Sequence, residues 1–113
     1  MKYPKRKGDR LERKVAALIR HKGLDPKARR MPLSGAWDHL PGDIYTSLPY
    51  SFEIKNTERI KIWEFWDQTK NQCPMGQVPV LAVSSNNRPI LAVLDFEYLL
   101  DLLKIEQDYL ADK

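Results

Sequence analysis

The sequence predicts a single-domain α/β sandwich built around a central mixed sheet of five strands, in the order α-β-β-β-α-β-β-α. Three observations lead to this fold class. A length of 113 residues leaves room for one domain. Three segments repeat apolar residues at the three-and-four spacing of amphipathic helices. Residues 78–84 are almost entirely apolar, as expected for a strand at the centre of a sheet that is covered on both faces.

The helices have recognisable ends. The first is predicted over residues 9–21, with Asp9 as N-cap and Gly23 as its C-terminal stop. The second is predicted over 60–73 and the third over 95–104 or beyond. One face of the third helix carries Phe96, Leu99, Leu100 and Leu103.

The strands alternate with turn signals. The predicted strands cover residues 27–33, 43–46, 50–55, 78–84 and 89–94. Ser47-Leu48-Pro49 separates the second strand from the third, and Asn86-Asn87 separates the fourth from the fifth.

The charge is concentrated at the front of the chain. Residues 1–30 hold twelve Lys or Arg against three acidic residues, whereas the remaining residues hold seven against twelve. A localised basic face is typical of proteins that bind a polyanion, most often nucleic acid. A solvated N-terminal arm explains the same charge, and composition leaves both interpretations open. We therefore divide the chain into a basic arm, 1–8, and one domain, 9–113.

Composition also excludes several classes of protein. No apolar run approaches the roughly 20 residues that a membrane span needs, so no membrane partner is expected. Cys73 is the one cysteine, which excludes an internal disulfide and a multi-cysteine zinc site. His39 lies in a predicted loop, where a histidine is seldom a ligand or a base. We expect a cytoplasmic protein.

The candidate chemistry lies in Phe52-Glu53-Ile54-Lys55. In a strand, Glu53 and Lys55 point to one face, while Phe52 and Ile54 point to the other, into a core. If residues 47–49 form the hairpin loop, Asp43 lies directly opposite Glu53. Two carboxylates side by side repel unless a cation lies between them, and Mg²⁺ prefers such oxygen ligands. The alternative is that Glu53 and Lys55 form an ordinary surface pair.

Two further residues have competing interpretations. Glu12 has the capping-box spacing from Asp9, yet it also lies at the margin of the apolar stripe, from which it could reach the carboxylate pair. Trp63 lies outside the core stripe of the second helix. It either covers the edge of the core or, with the apolar edge of residues 78–94, marks a partner surface.

Taken in order, these residues resemble the PD-(D/E)xK nuclease superfamily, in particular the archaeal-type Holliday junction resolvases and their phage relatives. The resemblance covers about residues 8–105. The matching segments are Gly8-Asp9-Arg10-Leu11-Glu12-Arg13, Leu33-Ser34-Gly35, Pro41-Gly42-Asp43-Ile44, Phe52-Glu53-Ile54-Lys55-Asn56 and Gln68. The usual Pro-Asp pair is interrupted here by Gly42, so we expect an altered loop that retains the Asp43 ligand.

The resemblance implies a small restriction-endonuclease-like sandwich and an active site. Glu12, Asp43 and Glu53 would surround Mg²⁺, for which Mn²⁺ can substitute, and Lys55 would lie beside the attacking water. Ser34 and Gln68 would assist. The resolvases of this family act as homodimers, which implies a homodimer on a four-way DNA junction, in the host cytoplasm if a phage encodes the chain.

The expected function is therefore Mg²⁺-dependent, structure-selective cleavage of branched DNA. The residues expected to contact phosphates are Lys2, Lys5, Arg6, Lys7, Arg10, Arg29 and Arg30. The alternatives are a nicking, flap or restriction-type nuclease on the same fold, or a DNA-binding module without activity. Intact Asp43, Glu53 and Lys55 argue against the last of these.

Overall fold

The computed structural model describes residues 5–31 and 43–113, with side chains from Arg10 onward. The elements follow the predicted order α-β-β-β-α-β-β-α. They are α1 Lys5–His21, β1 Arg29–Arg30, β2 Ile44–Tyr45, β3 Tyr50–Asn56, α2 Ile62–Gln72, β4 Val78–Ser84, β5 Leu91–Val93 and α3 Phe96–Ala111.

The five strands form two sheets and not the single five-stranded sheet that the sequence predicts. One sheet has the order β3-β4-β5, with β3 and β4 parallel and β4 and β5 antiparallel; β1 and β2 form a separate antiparallel pair. Where the two sheets meet, the Ile54 N–H of β3 donates to the Asp43 carboxylate at 2.7 Å. This backbone donor therefore bonds to a side chain and not to a backbone carbonyl of β2. The predicted strand over 27–33 ends beyond Met31, outside the described residues.

Helix α1 begins at Lys5, four residues before the predicted start. Asp9 therefore lies inside the helix, so its prediction as N-cap, and with it the capping box with Glu12, is wrong. The predicted C-terminal stop is confirmed. Gly23 has φ +77°, its N–H donates to the carbonyl of Arg20 at 3.0 Å, and the Leu24 N–H donates to that of Ile19 at 3.2 Å, which is a Schellman motif.

The core lies on both faces of β4, as predicted. On one face, Ala82 packs with Ile54 of β3 under α1. On the other, Leu81 and Val83 pack against Trp66 of α2. The buried residues of α1 are Leu11, Val15, Ala16 and Ile19. Because strand side chains alternate, α1 and α2 clamp β3 and β4 between them and fix the position of any side chain on β3.

The turn between β4 and β5 is a tight hairpin. Asn86 and Asn87 have φ +44° and +66°, and the Arg88 N–H donates to the Ser85 carbonyl at 3.0 Å. Two consecutive left-handed residues with this bond define a type I′ turn, which asparagine tolerates well. The predicted turn at Asn86-Asn87 is thereby confirmed.

Helix α3 is well capped but little packed. The Asp95 carboxylate accepts the N–H groups of Glu97 at 2.9 Å and Tyr98 at 3.2 Å. Tyr98 packs edge-on against Tyr50, and their hydroxyls are hydrogen-bonded. No residue of α3 is buried among the described residues. Within the part of the chain that the structure describes, no helix is long and apolar enough to cross a membrane.

Candidate active site

Asp43 lies where the two sheets meet. Its carbonyl accepts the Met31 N–H at 2.9 Å, and its own N–H donates to the Phe52 carbonyl at 2.8 Å. Its carboxylate accepts the Ile54 N–H at 2.7 Å. These two bonds to β3 fall on either side of Glu53, so Asp43 is held beside Glu53, as the hairpin register predicts, although a side chain makes the second bond.

The two carboxyl groups are hydrogen-bonded to each other. Glu53 is only 5% exposed. Burial, followed by the negative charge of Asp43, raises the pKa of Glu53 to about 8. Burial also raises the pKa of Asp43, against the opposing effects of the Ile54 N–H and the Lys55 charge. The raised pKa values have the physical cause expected of two carboxyl groups held together with little water, and a cation between them would offset the same repulsion.

Lys55 lies next to this pair. Its positive charge lowers the pKa of both Asp43 and Glu53. The ammonium nitrogen lies 5.3 Å from the centroid of the Phe65 ring on α2, within cation–π range. Lys55 is thus placed between α2 and the carboxylates. The prediction that Phe52 and Ile54 face a core is confirmed, since both pack with α1.

Glu12 is close to the pair but is held by another residue. The Glu12 carboxylate accepts the Nε–H of Arg30 at 3.2 Å, and the two side chains are 16% and 19% exposed. Its negative charge contributes to the raised pKa of Glu53. Within the described residues, no group of three or more His, Cys, Asp or Glu is placed to hold a metal ion. Glu12 as a third ligand stays a prediction.

The other predicted site residues are scattered. Gln68 is exposed on α2, and no hydrogen bond among the described residues joins it to Asp43 or Glu53. Arg29 stacks on the Tyr45 ring at 4.6 Å. The remaining predictions fall outside the described residues or side chains: Ser34, His39, Lys2, Lys5, Arg6 and Lys7.

An arginine-lined cavity of about 360 Å³ lies beside Glu12. Its lining is Arg13, Ala16, Arg20, Arg29 and Arg30. Sequence reasoning selected the two arginines of β1 and missed Arg13 and Arg20. Their spacing of seven residues, two helical turns, places them on the same side of α1 and could have identified them.

Asp25 is a buried acidic residue that sequence reasoning also missed. Its carboxylate accepts the N–H groups of Lys27 and Ser47, each at 2.9 Å, and the Thr46 hydroxyl at 2.7 Å. These hydrogen bonds, that from the Ser47 N–H first, lower the pKa of Asp25 to about 2. Asp25 ties the loop after α1 to the loop after β2 and so holds the segment that carries Asp43. An aspartate two residues before a bonded N–H is the signal of an Asx turn.

The donor set at Asp43 and Glu53 fits a hard divalent cation. Mg²⁺ binds through one or two carboxylates, keeps several waters and accepts substrate phosphate as a further ligand. Two adjacent buried carboxyl groups with raised pKa values provide such ligands once their shared proton leaves. The arrangement can therefore bind a cation next to a lysine.

Comparison with protein families gives one match over nearly the whole chain. Residues 3–112 match the family described as "Phage putative PDDEXK endonuclease". No curated protein and no solved structure matches the chain. The match spans nearly the whole chain, and nucleases of this type generally use divalent metals such as Mg²⁺ and bind DNA. The chain therefore belongs to the phage PDDEXK endonuclease family, within the PD-(D/E)xK nuclease superfamily.

Proposed function

We propose that this endonuclease is a Mg²⁺-dependent, structure-selective enzyme that resolves four-way DNA junctions as a homodimer. The observation that carries the proposal is the hydrogen-bonded Asp43–Glu53 pair with Lys55 beside it. The four-way junction is proposed as the substrate because the sequence resembles junction resolvases.

The chemistry is hydrolysis of a phosphodiester. Asp43 and Glu53 would hold Mg²⁺, which would supply Lewis-acid activation of the scissile phosphate. Lys55 orients the attacking water and offsets the negative charge that develops at the phosphate. Glu12 joins as a third ligand if it leaves Arg30. Ser34 and Gln68 keep the assisting roles that the resemblance implies.

Phosphate contacts would hold the DNA. The arginine-lined cavity beside Glu12 offers guanidinium groups, which suit bidentate contacts to phosphate. Such contacts position DNA without reading its sequence, which suits recognition of shape. Several phosphate contacts should make DNA binding strongly salt-dependent. Each contact adds about 0.9 to the slope of log K against log salt.

Exposed apolar surface supports the homodimer. A junction has two-fold symmetry, and cutting two opposed strands takes two sites, whereas each chain carries one Asp43–Glu53 pair. Trp63 is 76% exposed, and Leu91, on the edge strand β5, is 61% exposed. Phe96, at the start of α3, is 70% exposed. We propose that a second copy of this chain covers part of this surface.

The test is Mg²⁺-dependent cleavage of a four-way junction, a fork and a linear duplex of matched sequence. Asp43→Ala should reduce cleavage about a thousand-fold or more, because the metal supplies several kcal/mol of transition-state stabilisation. Junction binding should persist, since a negative charge facing phosphate is removed. Asp67→Ala, on the exposed face of α2, is the matched control and should cleave normally.

Three results would contradict parts of the proposal. Full activity of Asp43→Ala in Mg²⁺ would overturn the metal site. Equal cleavage of junction and linear duplex would overturn the substrate assignment and favour a restriction-type enzyme. A monomer at micromolar concentration, with and without junction DNA, would favour a nicking or flap nuclease.

A further inference from the structure

A second basic cavity lies on the side of α1 away from the arginine-lined cavity. Its volume is about 430 Å³. Positively charged and amide side chains dominate its lining, among them Arg10, Lys14, Asn56, Asn87 and Arg88. The last two belong to the β4–β5 turn, which no sequence feature linked to the basic N-terminal segment.

Among the described residues, no carboxylate is paired with the positive charge of this cavity. No carboxylate lines it, and within residues 10–31 and 43–113 no ion pair involves Arg10, Lys14 or Arg88. Arg10 and Lys14 are one helical turn apart and so share a face of α1. Arg88 approaches from the opposite wall, although only seven of the chain's nineteen Lys and Arg follow residue 30.

The turn that carries Arg88 is held by its own backbone. The Arg88 N–H donates to the Ser85 carbonyl at 3.0 Å, and the Arg88 carbonyl accepts the Ser84 hydroxyl at 2.8 Å. The left-handed conformation of Asn87 completes the type I′ turn. The guanidinium therefore projects from a fixed position while its side chain makes no contribution to the turn.

The cavity lies close to the proposed active site. Leu11 and Asn56, which also line it, are the chain neighbours of Glu12 and Lys55. Along β3, Asn56 lies three residues beyond Glu53, or about 10 Å. Successive phosphates of one DNA strand are separated by about 3.4 Å along the helix axis, so a strand cut at Glu53 can place a phosphate a few nucleotides away at this cavity.

We propose that this cavity binds a backbone phosphate of the DNA substrate a few nucleotides from the cleavage site, through Arg10, Lys14, Arg88 and the amide of Asn87. The inference rests on the proposed function, because it states where the DNA substrate of that function contacts the protein. With the arginine-lined cavity, which also lies next to Glu12, it gives the strand two basic contacts near the candidate site. The same lining chemistry would also accept free phosphate or a mononucleotide.

The experiment measures the affinity of metal-free protein for a four-way junction as a function of salt, so that no cleavage occurs. Arg88→Gln should lower the slope of log K against log salt by about 0.9, the effect of one phosphate contact, and weaken binding at low salt. Lys14→Gln should do the same. Asn87→Gly keeps the left-handed turn and should weaken binding without changing the slope, because it removes no charge.

The control is Lys22→Gln, which removes the same charge about 18 Å along α1 from Arg10 and should leave the slope unchanged. Equal slopes for Arg88→Gln and wild type, or an equal loss in Lys22→Gln, would overturn the proposal. Thermal stabilisation by millimolar inorganic phosphate that Arg88→Gln abolishes, with no change in the DNA slope, would assign the cavity to a free anion and overturn it as well. Cleavage by the wild type tests the proposed function separately.

Discussion

Helices α1 and α3 have nearly the same length, 17 and 16 residues, and both carry an apolar stripe, yet they use it differently. Leu11 of α1 is 6% exposed, whereas Leu103 of α3 is 48% exposed. Helix α1 lies across β3 and β4, while α3 contacts the rest of the described chain mainly through Tyr98. Apolar periodicity therefore predicts a helix and its apolar face, and the tertiary topology decides what that face meets.

The difference matters for function. Helix α1 packs on the strand that carries Glu53, and the burial of Glu53 itself is the main cause of the raised pKa of that carboxyl. The candidate site thus includes a buried carboxyl group. Helix α3 leaves its apolar residues exposed, and the homodimer proposed above would cover some of them.

The largest expected effect on stability comes from the α1 stripe. Leu11→Ala should lower the free energy of unfolding by about 2–5 kcal/mol, because it leaves a cavity between α1 and the sheet. Urea unfolding of the metal-free protein measures it. Leu11→Met, which conserves volume, should cost less than about 1.5 kcal/mol. A loss below 0.5 kcal/mol for the alanine variant would mean that α1 does not pack as described.

The second expected effect is a gain in the free energy of unfolding, produced by substituting Glu53. Glu53 has its pKa raised from 4.5 to about 8, so the metal-free protein should lose stability as pH rises through that range. Glu53→Gln has no charge to bury and should exceed wild-type stability above pH 8 by at least about 1 kcal/mol, since one pKa unit corresponds to about 1.4 kcal/mol.

The exposed Glu106 of α3 offers the control for this measurement. Glu106→Gln should follow the wild-type stability curve from pH 4 to pH 9, because its carboxylate is already in water. Unfolding curves at several pH values give both comparisons. A wild-type stability that rises between pH 5 and pH 8 relative to Glu53→Gln would contradict the buried, proton-sharing pair.

The third effect is smaller and concerns Asp25. Its pKa is lowered to about 2, so its hydrogen bonds stabilise the fold above the unfolded pKa, near 3.8, and this contribution is lost as pH falls toward 2. Asp25→Asn should therefore be less stable than wild type at pH 7, and the gap should narrow below pH 4. Asp101→Asn, exposed on α3, is the control and should show no such gap. If the stability difference between Asp25→Asn and wild type stayed constant at all pH values, the substitution would act through altered packing and not through the carboxylate charge.

Local signals were enough to predict much of the fold. Gly23 and the Asn86-Asn87 turn act through their own φ angles, and the Glu53–Lys55 face follows from strand alternation. The sequence also predicted Asp43 beside Glu53, although from a β2–β3 hairpin ladder that the described residues do not form. The N-terminus of α1 was not, since Asp9 has the chemistry of a cap and the helix continues through it to Lys5.

Other features depend on contacts distant in sequence, which no local pattern encodes. The link between the two sheets includes the Asp43 carboxylate accepting the Ile54 N–H, a contact between residues eleven positions apart. The capture of Glu12 by Arg30 joins residues eighteen positions apart. Arg88 reaches the basic face of α1 only because β5 returns antiparallel to β4. Each depends on an approach between segments that the fold creates.

The smallest expected effect is on α3. Leu103→Ala removes the same atoms as Leu11→Ala, but the Leu103 side chain is half exposed. At submicromolar concentration we expect a monomer, in which this substitution should change the free energy of unfolding by less than about 0.5 kcal/mol. At tens of micromolar the proposed homodimer buries this face, and the same variant should then lose stability relative to wild type, because dimerisation stabilises the folded chain by mass action. Urea unfolding at both concentrations, with sedimentation to count the subunits, separates the cases. A loss of several kcal/mol at both concentrations would place α3 in the core of its own chain and remove the contrast with α1.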